Sequence, residues 1–222
     1  TSNKNSTLQR VEKTLENKLG IKDVELQGPN GEYIDIYVSK KNSSKMLILF
    51  AKSPLPKKIY SKLREEYGYP DKKYPEKLIL KTTIDSIKFN TIKNQEGFMI
   101  LGKGNKIEIQ MKNFMNKKSN IPNPYWPKED FENSIKNKFK KTFLYVKAES
   151  RGRGINEEFH FNEAYLLQEF DFLKFVKNLK KGILEVEIKL GLHLNGNFHN
   201  RGTSVKINPS LLHECFSSTK II

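Results

Sequence analysis

Apolar residues recur at helical spacing near the start of the chain, at Leu8, Val11, Leu15 and Leu19. They sit behind the hydroxyl pair Ser6-Thr7 and ahead of Gly20, which predicts one amphipathic helix with a capped start and a glycine stop. The period then drops to two in Ile34-Asp35-Ile36-Tyr37-Val38, and residues 45–51 form a short apolar run. Both read as strands, joined across the turn-rich Lys41-Asn42-Ser43-Ser44 as a hairpin. A basic helix is expected over residues 57–67, closed by Gly68, followed by an irregular connection around Pro70 and Pro75 and several strands in 78–112. Ile121 to Pro127 is a proline-punctuated loop under which Trp126 packs, and Pro127-Lys128-Glu129-Asp130 opens a helix carrying Phe131, Ile135 and Phe139.

The second half continues with a strand at 143–148, a flexible basic loop at Ser150-Arg151-Gly152-Arg153-Gly154, and a long helix from 162 to 181 with apolar residues at 165, 166, 170, 173 and 176. A strand at 183–190, a Gly/Asn/His loop at 191–202, a short strand at 203–207 and a final helix from Asn208-Pro209-Ser210 complete the pattern. No internal repeat and no composition break marks a linker, so residues 1–222 are expected to form a single α/β domain.

Charge adds a functional direction. Forty Lys+Arg against 25 Asp+Glu give a net charge of +15, which points to a polyanionic partner and, at this size, to nucleic acid. Alanine occurs only at 51, 148 and 164, so codon bias in an AT-rich genome accounts for part of the lysine. Bias alone would not place it, and residues 51–150 carry 22 basic against 11 acidic groups while the flanking segments are nearly balanced. Arginine survives only at Arg10, Arg64, Arg151, Arg153 and Arg201. Where lysine is the default cation, a retained arginine marks a use for its planar fork.

Several classes fall away. Cys215 is the single cysteine, no basic and apolar leader opens the chain, and no apolar run approaches the ~18 residues of a membrane span. A reducing, cytoplasmic setting without membrane contact is expected. His160, His193, His199 and His213 lack metal-ligand spacing with Cys215, and no glycine-rich phosphate loop precedes a helix.

Five segments, in order, carry a family likeness: Leu15-Glu16-Asn17-Lys18-Leu19-Gly20-Ile21, Ile34-Asp35-Ile36, Leu47 through Phe50-Ala51-Lys52-Ser53-Pro54, Ala148-Glu149-Ser150, and Arg201-Gly202-Thr203-Ser204-Val205-Lys206-Ile207-Asn208. Together they resemble the MutH-like restriction endonucleases over nearly the whole chain. Within that family the low-GC composition is most similar to the C-terminal half of a staphylococcal enzyme that cuts GATC.

The resemblance implies a mixed central sheet flanked by helices, with a DNA-binding cleft. Nucleases of this kind need a carboxylate, then a second carboxylate two residues before a lysine on one strand, the carboxylates holding Mg²⁺ and the lysine assisting the attacking water. Carried over, those positions fall at Asn30, Asp35 and Tyr37, so the triplet is degenerate and no cleavage or metal is expected of this chain, Mg²⁺ being left to a parent enzyme. Glu25 or Glu32 is a conceivable replacement carboxylate and Lys40 or Lys41 a replacement lysine, although Lys40 has the wrong strand parity and Lys41 lies far along. Glu16, the family's helix glutamate, is then structural. Phosphate contacts are expected from Lys52, Lys57, Lys58, Lys62, Arg151 and Arg153, base readout from Lys189, His193, His199, Asn200 and Arg201, and a further DNA contact from Lys206. The implied role is an allosteric effector domain that binds double-stranded GATC, acting with an N-terminal catalytic domain of the same polypeptide, with a DNA-induced dimer as a further implied partner state. An active Mg²⁺-dependent endonuclease is the alternative, and a general RNA- or DNA-binding protein of ribosomal type the more distant one.

Overall fold

The computed structural model describes residues 7–20, 25–27, 33–41, 46–112, 121–139, 142–152 and 154–221. In chain order the elements are α1 (Thr7–Leu19), β1 (Glu25–Gln27), β2 (Tyr33–Lys40), β3 (Leu47–Ala51), α2 (Ile59–Tyr67), β4 (Tyr69–Pro70), β5 (Leu78–Asp85), β6 (Thr91–Ile92), β7 (Gln95–Glu96), β8 (Phe98–Lys103) and β9 (Lys106–Met111). There follow β10 (Tyr125–Pro127), α3 (Lys128–Lys138), β11 (Phe143–Arg151), β12 (Glu158–Phe170), α4 (Phe172–Asn178), β13 (Leu184–Leu192), β14 (Phe198–Ile207) and β15 (Phe216–Lys220). The chain divides into two compact units, the first drawn from residues 1–45, 135–174 and 209–222, the second from 46–134 and 175–208. No helix among the described residues is long and apolar enough to cross a membrane.

In the first unit a five-stranded mixed sheet runs β1-β2-β11-β12-β15, with β2 and β11 parallel and every other pair antiparallel. The centre of the stripe predicted on α1 is used as expected: Val11 and Leu15 are buried against Ile36 and Val38 of β2, Val146 and Ala148 of β11, and Ala164 of β12, whereas Leu19 at its end is exposed. Burying each such aliphatic side chain contributes roughly 1.5–3 kcal/mol. The other face is aromatic, where Phe143 stacks on Phe139 at 4.8 Å and meets Phe216 edge-on at 5.4 Å.

The second unit holds an antiparallel five-stranded sheet, β3-β14-β13-β5-β4, and a three-stranded one, β10-β9-β8. Trp126 is fully buried and donates its indole N–H to the Lys52 carbonyl at 2.9 Å, as its place under the proline loop suggested. Phe131 packs edge-on against Phe50 at 5.2 Å and lies 5.3 Å from Phe175. Gly68 ends α2, and only glycine fits there because a Cβ would lie 2.1 Å from the Arg64 carbonyl oxygen.

Five expectations need correction. The strands at 33–40 and 47–51 make no hairpin: β2 pairs with β1 and β11, while β3 pairs with β14. The single central sheet is replaced by two five-stranded sheets. The long helix expected over 162–181 is strand as far as Phe170 and helical only from Phe172. A bulge explains the misreading, since Lys147 faces Glu163 and Ala148 faces Phe161, leaving Asn162 unpaired. Phe159, Phe161 and Ala164 therefore share the α1 side, and the period-two signal breaks at the bulge. Finally, the terminal helix is a 3-10 segment, Pro209–Cys215, that leads into β15, and the loop expected at 191–202 shortens to the hairpin turn between β13 and β14.

Candidate nucleic-acid interface

β2 alternates as its sequence dictates. Ile36 and Val38 face α1, so Asp35, Tyr37 and Ser39 share the opposite face. There the Tyr37 ring stacks on Tyr145 at 5.9 Å and meets Phe139 edge-on at 5.6 Å. Burial pushes its phenol up to about 12, so the position where the nuclease pattern wants a cation holds a neutral group built into an aromatic stack. Asp35 is half-buried and lies in register between Glu25 of β1 and Phe143 of β11. Asn30 and Glu32 lie outside the described residues.

The two candidate replacement lysines separate by parity. Lys40, on the α1 side, is bound to Glu157, which also meets Arg10 at 3.0 Å. Lys41 reaches Glu149 at 3.0 Å and Glu163 at 3.1 Å. Glu16 is buried and takes Lys13 at 2.9 Å, a structural pairing. The rest of this face is a closed polar network. Tyr145 donates its hydroxyl to the Pro209 carbonyl and receives one from Ser39 at 2.6 Å. Lys147, 7 % exposed, lies 3.4 Å from both Glu163 and the ring of His213, and burial pulls its ammonium below the usual lysine range against the pull of that carboxylate. A hydrogen bond from the Tyr165 hydroxyl at 2.8 Å, joined by Lys41 and Lys147, holds the Glu163 carboxyl at about 2.

The second unit contains a cleft of about 520 Å³ whose walls include Lys52, Lys57, Lys58, Arg64, Phe198 and His199. Its position follows from α2. Ile59, Tyr60, Leu63 and Tyr67 bury one face of that helix, which leaves Lys57, Lys58 and Lys62 exposed at its start and outer face. Lys57, Lys58 and Lys62 make no ion pair with a described carboxylate, whereas Lys52 is tied to Asp130. Across the cleft Arg64 lies 3.6 Å above the half-exposed ring of Phe198, and the rings of His193 and His199 meet at 4.1 Å.

The structure thus gathers Lys52, Lys57, Lys58 and His199 at one cleft, with His193 against His199 and Lys62 exposed on the same helix as Arg64. Lys206 is held by Glu187 at 2.8 Å and Glu185 at 3.1 Å, and although burial opposes the charge those carboxylates raise its pKa. Lys189 is paired with Glu187 at 2.9 Å. Their ammonium groups are committed to the sheet. Arg151 is exposed at the end of β11 in the first unit, and Arg153 lies outside the described residues. Asn200 pairs in register with Leu190, and the next register pair is Thr203 with Ile188, so Arg201 and Gly202 fall in a bulge; the side chains of Asn200 and Arg201 are outside the description. Sequence reasoning missed Arg64 and Phe198. The available signals were that Arg64 is one of only five arginines and that Phe198 adjoins His199 at the root of a hairpin.

Among known proteins, the model of the MvaI/BcnI restriction endonuclease family matches residues 1–216. Two solved structures share the fold. One is the restriction endonuclease MvaI–cognate DNA substrate complex, at TM-score 0.57 and 21% identity, covering 100% of this chain and 91% of the other. The second is restriction endonuclease MvaI in the absence of DNA, at TM-score 0.62 and 22% identity, covering 96% and 85%. No curated protein matches. The restriction-endonuclease likeness read from the motifs therefore holds at the level of class, and with the match spanning nearly every residue, this chain belongs to the MvaI/BcnI restriction endonuclease family.

Proposed function

We propose that this chain binds double-stranded DNA through the cleft of its second unit and does not cleave it. The observation that carries the reading is the convergence of Lys57, Lys58, Arg64 and His199 on one cleft, with Lys57 and Lys58 unpaired to any described carboxylate. Free ammonium groups at a helix start suit phosphates, and an arginine over an aromatic ring beside imidazoles suits base edges and faces. The DNA-bound state of MvaI, a protein of the same fold, supports the same direction.

Non-cleavage rests on position 37. A metal-assisted hydrolysis wants two or more carboxylates and a cation together; here the third position is a half-buried tyrosine held in an aromatic stack, and among the described residues no three His, Cys, Asp or Glu side chains come close enough to hold a metal ion. Among the described residues the donor set does not fit Mg²⁺. A chain of this kind serves as an effector domain: it occupies a GATC site, and that occupancy favours the cutting-competent state of a catalytic partner domain in a cytoplasmic restriction enzyme, a coupling that requires different affinities in the two states.

A competition titration against labelled GATC duplex, a one-base variant and random DNA, at fixed salt with Mg²⁺ present, tests the reading. Selective binding with intact DNA is expected, and Arg201→Ala should lose about 1–3 kcal/mol of discrimination. Equal binding to all three duplexes would remove GATC specificity and the effector role with it. Cleaved product would favour the second reading, an active endonuclease, for which the register that sets Glu25 opposite Asp35 is the one supporting observation.

A further inference from the structure

The hairpin between β13 and β14 ends in a leucine. The His193 N–H donates to the Asn197 carbonyl at 2.8 Å and the Gly196 N–H to the His193 carbonyl at 2.9 Å, closing the turn. Leu194 at its tip is 89% exposed, the highest value for a large hydrophobic side chain among the described residues. Single exposed leucines are ordinary. What sets this one apart is how its backbone is held.

Lys73 Nζ at 3.1 Å and the Tyr74 hydroxyl at 2.8 Å both donate to the carbonyl of Leu194 itself, and Lys77 Nζ donates to the Gly196 carbonyl at 2.8 Å. The clamp is ordered in turn, since Asp71 Oδ1 accepts from the backbone of Lys73 and Tyr74 at 2.9 and 3.1 Å. Gly196 adopts φ +80, and a Cβ there would lie 3.2 Å from both Lys77 Nζ and the Tyr74 ring, so the close approach depends on glycine. Each ammonium has three donors and spends one on the turn. A stiff apolar prong results, with two cations fixed beside its base.

We infer that Leu194 is a wedge that enters a base step of duplex DNA while Lys73 and Lys77 meet the flanking phosphates. Apolar wedges of this size unstack one step and kink the duplex, and a turn already rigid loses little freedom on insertion. The inference rests on duplex DNA being the ligand.

The test uses duplexes carrying 2-aminopurine at successive positions, whose fluorescence rises when a base loses its stacking neighbour, read alongside a gel-shift isotherm. The wild-type chain is expected to raise emission about twofold or more at one step, Leu194→Phe to keep the rise, and Leu194→Ala to abolish it while still shifting the duplex. As the side chain is exposed, Leu194→Ala leaves the core intact. A wild-type shift without a rise at any position, or an unchanged rise in Leu194→Ala, overturns the wedge and leaves DNA binding standing. An isotherm with no shift at all overturns both.

Discussion

Lysine is used in two opposite ways on the sheet of the first unit and at the helix start that borders the cleft of the second. On the sheet of the first, Lys40, Lys41 and Lys147 each end on a glutamate, and Tyr37 stands where a nuclease would need another cation. At the cleft of the second, Lys57 and Lys58 start a helix with no described carboxylate against them, and Arg64 lies over an exposed ring. A cation that has its counter-ion inside the fold serves stability and specificity of structure, because removing either partner strands a charge. One without a counter-ion keeps its full attraction for an external anion. The +15 of the whole chain does not distinguish these cases; the pairing does.

The sharpest way to break this comparison is Tyr37→Lys. If the first unit is a closed packing site, the new ammonium enters an aromatic stack without a partner, and stability should fall by about 3 kcal/mol with no DNA nicking gained. A urea titration and a nicking assay check it, and a stable variant that nicks DNA would show that the site is merely missing its lysine. Next in size is the double reversal Lys57→Glu/Lys58→Glu. Duplex affinity should drop about tenfold or more, and the slope of log affinity against log salt should become shallower by about 2, with thermal stability unchanged.

Acid titration sharpens the other side. Glu163 titrates at about 2 against an ordinary 4.5, so the folded state holds its proton less tightly than the unfolded chain does. Its contribution is complete above the ordinary value and is lost as pH falls from there toward 2. Glu163→Gln should cost about 2 kcal/mol at neutral pH and almost nothing at pH 2, and parallel stability curves for the two proteins across that range would remove Glu163 from the network. The smallest effect is expected from Lys206→Ala, whose ammonium already serves Glu185 and Glu187. Its duplex affinity should change less than about twofold, since a paired cation releases few counter-ions on binding; a loss as large as that of the double reversal would show that pairing does not decide which lysines meet DNA.

Local pattern determined much of this molecule. The stripe Leu8, Val11, Leu15 and Leu19 gives α1 and Gly20 stops it; the alternation from Ile34 to Val38 gives β2; Trp126 and the helix behind Pro127 are where the proline punctuation put them. The parity that sends Lys40, the last residue of β2, and Lys41 just beyond it to opposite sides was also legible, because a strand's period is fixed by backbone geometry alone. What a strand pairs with is not local. Adjacent β2 and β3 went to different sheets, since register and partner depend on surfaces brought in from distant segments. One unpaired residue, Asn162, was enough to disguise a thirteen-residue strand as a helix. Charge pointed to the middle of the chain as the basic region, but only folding decided which lysines keep that charge free: Lys206 found two glutamates within reach across a sheet, and Lys57 found none among the described residues.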